Sequence, residues 1–236
     1  MNHCEMVWTT AGTNRVCSRC LELKDTVVGR TDESGVTLPP LHPRCRCATM
    51  YREVGDKKPG GTPKWRRQQH FSSSDENVQA TNSNYNLGRA FQINCQKCVP
   101  AYEMRMRGYD VVARPTFDID TDSLAQDWDK IFKGAEFEEG FAGSGKAEVI
   151  KRMKLFGDGA RAEVYVDWVE EEFAHVFVAE NRNGEIHFLD PQTGELDVEY
   201  YFDNVKDGLT KLLRMDNLEP DEKYIKWCCK EVKRNG

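Results

Sequence analysis

Two runs of alternating hydrophobicity, residues 174–179 and 185–189, flank Asn181, Arg182, Asn183 and Gly184, and no other stretch constrains the fold as tightly. Alternation sends successive side chains to opposite faces of a strand, while Asn and Gly accept the positive φ angles of a tight reversal. The two strands should therefore pair as an antiparallel hairpin. Its loop length decides what is aligned. A four-residue loop over 181–184 sets His175 opposite Asp190, with Phe177, Ala179, Ile186 and Phe188 continuing that face as an apolar floor. A two-residue loop of Asn183 and Gly184 sets His175 opposite Gln192 and leaves Asp190 on the diagonal. Either register keeps a carboxylate or an amide within reach of the imidazole. His187 points to the other face of its strand and is the weaker candidate.

Upstream, Val99, Tyr102 and Met106 recur at helical spacing and Gly108 follows as a stop, which predicts a helix beginning at Asn94 or Cys95. Pro100 falls near its first turn, where a missing N–H is tolerated. A cysteine at a helix start meets unsatisfied N–H groups and the positive end of the macrodipole, both of which favour the thiolate. Its own N–H is also placed to help hold an oxyanion. A thiolate nucleophile needs a base and a group that orients the base, and His175 and Asp190 supply these two. Cys95 and Cys98 also read as a redox pair, as half of a zinc site completed by Cys228 and Cys229, or as a nucleophile followed by a buried apolar thiol. A redox pair would need a preceding strand, and residues 82–94 are polar and irregular. Further helices are expected over 124–132, 147–155, 205–213 and 222–232, and a strand over 161–168.

Nine cysteines form an odd set, and the first residues lack the basic, apolar, small-residue layout of a secretion signal. A disulfide framework is therefore disfavoured against metal or catalytic roles, and the chain reads as a soluble protein that is not exported through a secretion signal. The formal net charge of -6 argues against a general nucleic-acid binder. Cys17, Cys20, His42, Cys45 and Cys47 crowd the first fifty residues, and two thiolates followed by more soft ligands suit structural zinc. So short a segment cannot bury enough apolar surface alone, and a metal would supply the missing folding energy. Which of His42, Cys45 and Cys47 would coordinate is open.

Residues 54–83 contain several glycines, prolines, serines and asparagines and hardly an aliphatic residue, and read as a flexible linker made basic by Lys57, Lys58, Lys64, Arg66 and Arg67. The chain thus divides into a cysteine-rich head (1–53), a linker (54–83) and a body (84–236). Gly140, Gly145 and Lys146 match most of a phosphate-binding loop, but Ala147 replaces the magnesium-binding Ser or Thr and no buried strand precedes it. A flexible loop or lid is the better expectation.

Asn94-Cys-Gln-Lys-Cys-Val-Pro-Ala-Tyr-Glu-Met-Arg-Met-Arg-Gly-Tyr-Asp110, Gly157-Asp-Gly-Ala-Arg-Ala162, His175-Val-Phe177 and Leu189-Asp-Pro-Gln-Thr-Gly194 together resemble the papain-fold toxin domain of bacterial polymorphic toxins. That resemblance implies an α+β papain-like fold, with the catalytic helix packed on an antiparallel sheet. It assigns Cys95 as nucleophile, His175 as base and Asp190 as orienter. Its activity is glutamine deamidation of a target protein through a thioester, without a catalytic cofactor, and an immunity protein is an expected partner. Gln92, Asn94 and Gln192 are the supporting or oxyanion candidates. The head, through Trp8, Cys17, Cys20 and Pro39-Pro-Leu-His-Pro-Arg-Cys-Arg-Cys47, is similar to the C-terminal tail of phage Mu F-like head-morphogenesis (minor capsid) proteins. It implies a piece of a longer phage protein, capsid or portal partners, and delivery with the virion. The same triad would serve a cysteine peptidase or a transglutaminase. From other classes, the alternatives are a non-catalytic phage-head structural protein and a nucleotide binder using Lys146.

Overall fold

The computed structural model describes residues 3–10, 27–30, 47–54, 63–70, 72–117, 127–169 and 173–232. They belong to two compact units, Met1–Gly60 and Gly61–Gly236. Three antiparallel strands are described in the first: β1 (His3–Thr10), β2 (Val27–Arg30) and β3 (Cys47–Val54), in the order β2-β1-β3. Cys47 opens β3 opposite Thr10. The other expected zinc ligands, Cys17, Cys20, His42 and Cys45, lie outside the described residues. Among the described residues no group of His, Cys, Asp or Glu is placed to hold a metal, so the zinc-stapled module gains no support.

In the second unit the elements that position the site are α1 (Ser74–Thr81), α2 (Cys95–Met106), β4 (Val111–Ala113), α3 (Trp128–Ile131), β5 (Phe132–Lys133) and α4 (Lys146–Phe156). They continue through β6 (Arg161–Asp167), β7 (Ala174–Arg182), β8 (Glu185–Leu189), β9 (Lys211–Arg214), β10 (Glu219–Pro220), α5 (Glu222–Cys228) and β11 (Cys229–Glu231). A four-stranded antiparallel sheet runs β8-β7-β6-β9. One face packs Val176, Val178, Leu189 and Leu213 against Val99, Tyr102 and Met104 of α2. The other packs Val164, Phe177 and Phe188 against Val149 and Met153 of α4. With both faces covered, β7 is buried along nearly its whole length, although its sequence alternates. Among the described residues no helix is long and apolar enough to cross a membrane.

The hairpin closes through the shorter loop. Arg182 pairs with Glu185, and Asn183 (φ 56°) and Gly184 (φ 90°) make the turn, which is the mirror-image geometry that matches strand twist. The helix begins at Cys95 as expected, but Pro100 is its sixth residue and lies beyond the first turn. A proline there cannot supply the N–H that the Gln96 carbonyl would accept within the helix.

Three expectations are corrected. The stretch 205–213 carries Val205, Leu209, Leu212 and Leu213 at helical spacing, but Gly208 turns the chain at φ 76° and Lys211–Arg214 is the edge strand β9. Strand pairing with β6 overrides the local pattern. The expected helix over 222–232 stops at Cys228, and Cys229–Glu231 extends to pair with β4. The second half of the expected linker belongs to the body. Ser73 and Glu76 form a capping box that starts α1, Val78 is buried in the core, and Trp65 packs against Tyr109. Arg67 lies over the Tyr109 ring and Arg66 pairs with Asp110, so these two cations are docked and do not serve a solvated tether.

The glycine-rich loop is also fastened. Asp207 accepts from the Gly143 N–H at 2.6 Å, Thr210 Oγ1 donates to the Ser144 carbonyl at 2.7 Å, and Lys146 pairs with Glu199. A carboxylate on the loop amide and another on the lysine oppose phosphate binding, and the bonds oppose a free lid. Gly145 starts α4 at φ 74°, and a Cβ there would stand 2.6 Å from Thr210 Cβ. Gly145→Ala should therefore cost roughly 1–3 kcal/mol, read from the urea midpoint. An unchanged midpoint would show that the loop yields.

Candidate active site

Cys95 is the first residue of α2, where the leading N–H groups have no intrahelical acceptor. Asn94 precedes it with its carbonyl accepting from Lys97 and Cys98. The side chain of Asn94 is bound on both edges: Nδ2 donates to the Arg114 carbonyl (3.0 Å) and to Asn82 Oδ1 (3.3 Å), while Oδ1 accepts from Gln192 Nε2 (3.4 Å). Both N–H bonds of this side chain are committed within the protein. It ties the start of α2 to the loop after β8, and Gln192 is the other end of that tie. Asn82 completes the knot by donating to the Gln192 carbonyl at 2.9 Å. Gln192 is buried, and its backbone N–H donates to Asp190 Oδ1 at 2.8 Å.

His175 opens the buried part of β7, and Asp190 directly follows β8. His175 Nε2 lies 3.1 Å from Asp190 Oδ2 although the two residues are diagonal in register, because strand pairing stops at Val178 and Leu189 and the chain after β8 folds back through Gly194. The Cys95 thiol stands close enough to the ring to help raise its pKa. With Nε2 turned to Asp190, Nδ1 is the nitrogen left for the thiol. One imidazole thus hydrogen-bonds a carboxylate with 0% exposure and has a thiol at a helix start as its neighbour.

Burial opposes a charge on His175, but the hydrogen bond to Asp190 and the neighbouring Cys95 thiol, with the charges of both partners, prevail and raise it to about 10. Burial likewise opposes charge on Asp190, and the bond and charge of His175, the Gln192 N–H and the Tyr201 hydroxyl overcome it and lower Asp190 below the usual carboxylate range. Burial, then the nearby Cys95, Asp190 and Cys228, push Cys98 well above the ordinary thiol value. Cys98 therefore stays a buried thiol, and Cys95 is the partly exposed member of the pair.

The raised His175 pKa carries a stability consequence. Its contribution is present in full below the unfolded value of about 6.5 and is lost as pH rises through about 10. The stability gap between wild type and His175→Ala should therefore shrink across that window when urea midpoints are measured at successive pH values. A gap constant across the window would contradict this arrangement.

Two aromatic residues enclose the imidazole. Trp168 stacks on it at 5.3 Å between centroids, and Tyr201, from the 3₁₀ turn Glu199–Asn204, meets it edge-on at 5.6 Å. Neither was singled out from sequence. The adjacent Tyr200 and Tyr201, soon after the Leu189-Asp-Pro-Gln-Thr-Gly194 segment, were the available signal. Gln92 is exposed just ahead of α2.

Residues 93–195 match the model of a family described as papain fold toxin 1, glutamine deamidase. The matched segment contains Cys95, His175 and Asp190 together with α2, the hairpin and the loop that follows it. It is an enzyme segment of the cysteine-hydrolase type, and a papain-like α+β fold accommodates its helix and antiparallel sheet. The match covers less than half of the chain. A search of curated proteins finds no match.

Proposed function

We propose that the body deamidates glutamine side chains of a target protein, with Cys95 as nucleophile, His175 as proton carrier and Asp190 as the group that orients it. The observation that carries this reading is the single imidazole shared by the thiol and the buried carboxylate. The Cys95 thiolate attacks the carboxamide carbon and the carbonyl π electrons move to oxygen. The Cys95 N–H at the helix start faces that oxyanion, and exposed Gln92 is the candidate second donor. His175 gives its proton to nitrogen, the C–N bond breaks, and ammonia leaves a thioester. Water, deprotonated by His175, then attacks the thioester, which yields glutamate and restores the thiolate.

A papain-fold toxin match implies a protein substrate. An immunity protein is proposed as the partner that restrains the enzyme where it is made. For the first unit we retain, as a proposal resting on sequence likeness alone, a minor-capsid tail that brings the enzyme with a phage particle. Loss of the protein from purified particles would remove that part and leave the chemistry untouched.

The test compares wild type with Cys95→Ala on host proteins, scoring one-dalton gains at glutamine together with released ammonia. Gains and ammonia from wild type alone support deamidation. Peptide cleavage without ammonia would make the enzyme a peptidase, and ammonia with crosslinked products would make it a transglutaminase.

A further inference from the structure

The carboxylate that faces His175 is held from three sides, and one of the three lies outside the residues that match the family. Asp190 Oδ1 accepts from the Gln192 N–H at 2.8 Å. Oδ2 lies 3.1 Å from His175 Nε2 and accepts from the Tyr201 hydroxyl at 3.0 Å. Tyr201 therefore acts on the same oxygen that orients the imidazole. Its ring is equally placed: it stands edge-on to His175, to Trp168 (5.4 Å, 82°) and to Phe177 (5.5 Å, 83°). Trp168 Nε1 donates to the Tyr201 carbonyl at 3.1 Å while its own ring stacks on the imidazole. Backbone, ring and hydroxyl of one residue thus reach both the carboxylate and the histidine.

We propose that Tyr201 is a positioning residue of this site, holding Asp190 Oδ2 through its hydroxyl and confining the His175 ring through its edge, so that Nδ1 remains directed at Cys95. This rests on the deamidase reading above for its kinetic form but not for its geometric one. A hydroxyl has one proton, and the competing acceptor, Glu195 Oε2, is farther away at 3.4 Å and already accepts from Tyr200 at 3.1 Å. The proton therefore serves Asp190. A donor on Oδ2 stabilises the ionised carboxylate and leaves the imidazole the only other claim on that oxygen.

Removing the hydroxyl should have a signature that loose packing would not produce. The titratable groups facing Asp190 and Tyr201 are His175 from β7, Cys95 and Cys98 from α2, and Tyr200 and Glu195 beside the 3₁₀ turn. In Tyr201→Phe, Asp190 loses its 3.0 Å hydroxyl donor, while Glu195 loses only the longer 3.4 Å contact and keeps Tyr200. The variant keeps the ring and its contacts, so it should fold as wild type. Asp190 should then take up a proton at higher pH, and the acid limb of kcat/KM should move up by about one pH unit. Turnover should fall about tenfold with KM within about twofold, since the residue touches no substrate.

In an Asp190→Asn background Tyr201→Phe should have little further effect on either quantity, because its action runs through the carboxylate. Iodoacetamide labelling of the Cys95 peptide across pH, read by mass spectrometry, reports the same limb without any glutamine substrate. It therefore separates failure of this inference from failure of the deamidase reading. An unmoved acid limb and wild-type turnover in Tyr201→Phe would overturn the proposal. So would an equal loss in the Asp190→Asn background.

Discussion

Cys95→Ala is expected to lower kcat/KM for glutamine deamidation by about four orders of magnitude or more while leaving the urea midpoint within about 1 kcal/mol of wild type. Among the described residues the Cys95 thiol is the candidate nucleophile that acts on the imidazole, and its removal leaves at most the oxyanion donors and binding to accelerate hydrolysis. Its side chain is only partly buried and packs at the margin of the core, so a small residue should be accommodated. Cys98→Ala is the internal control. That thiol lies in the core with 0% exposure, so its loss should cost about 1 kcal/mol of stability and leave turnover within a few-fold. The reverse pattern, with Cys98 essential and Cys95 dispensable, would reassign the nucleophile.

The largest expected effect on stability comes from Glu103, two turns along the same helix. Its carboxylate has no exposure, and it accepts from Arg161 Nε (2.7 Å) and NH2 (3.1 Å) on β6 and from Arg107 Nε (2.7 Å). Two guanidinium groups thus close on one buried carboxylate and clamp α2 to the sheet that carries His175. Removing the carboxylate leaves both cations short of a partner, a change that typically costs about 3–5 kcal/mol when a buried pair is broken. Arg161 and Arg107 keep 15% and 22% side-chain exposure, so water can reach them and the lower end of that range is expected. Glu103→Leu should lose about 3 kcal/mol in urea denaturation, and activity should fall only as far as folded protein is lost. A midpoint close to wild type would mean that the guanidinium groups find other acceptors.

These two predictions mark where the sequence was readable. The start of α2 could be placed because Gly108 and the apolar spacing bracket a single helix and a cysteine heads it. The hairpin was readable from alternation and from Asn183 and Gly184, but its register was left with two answers, since both loop lengths use residues suited to turns. Only the folded-back segment after β8 makes the diagonal pair meet. That fold depends on Asp190 accepting from Gln192, on Gly194 N–H reaching the Asp190 carbonyl, and on Asn82 and Asn94 holding Gln192, which are contacts between residues far apart in sequence.

The errors have a common cause. Residues 205–213 have helical spacing, and residues 63–83 have the composition of a linker; in both, contacts with the rest of the body decided the outcome. Among the described residues of the polar stretch, Val78 is buried in the core and Trp65 packs half-buried against it, and such sparse anchors suffice. Gly208 and Ser73 with Glu76 were local signals of the true structure, a turn and a capping box, and the broader pattern masked them. Trp168 and Tyr201 escaped notice because an enclosing aromatic has no spacing rule; its role exists only once His175 and Asp190 are in place.

The most direct measurement is covalent capture by a peptide carrying a diazoketone analogue of glutamine, followed by mass spectrometry of the labelled chain. If thiol, imidazole and carboxylate work as one unit, wild type takes up a single label on the Cys95 peptide, while His175→Ala and Asp190→Asn lose most of it despite an intact thiol. Labelling of Cys95 at an undiminished rate in His175→Ala, or label directed to other cysteines in wild type, would contradict the account.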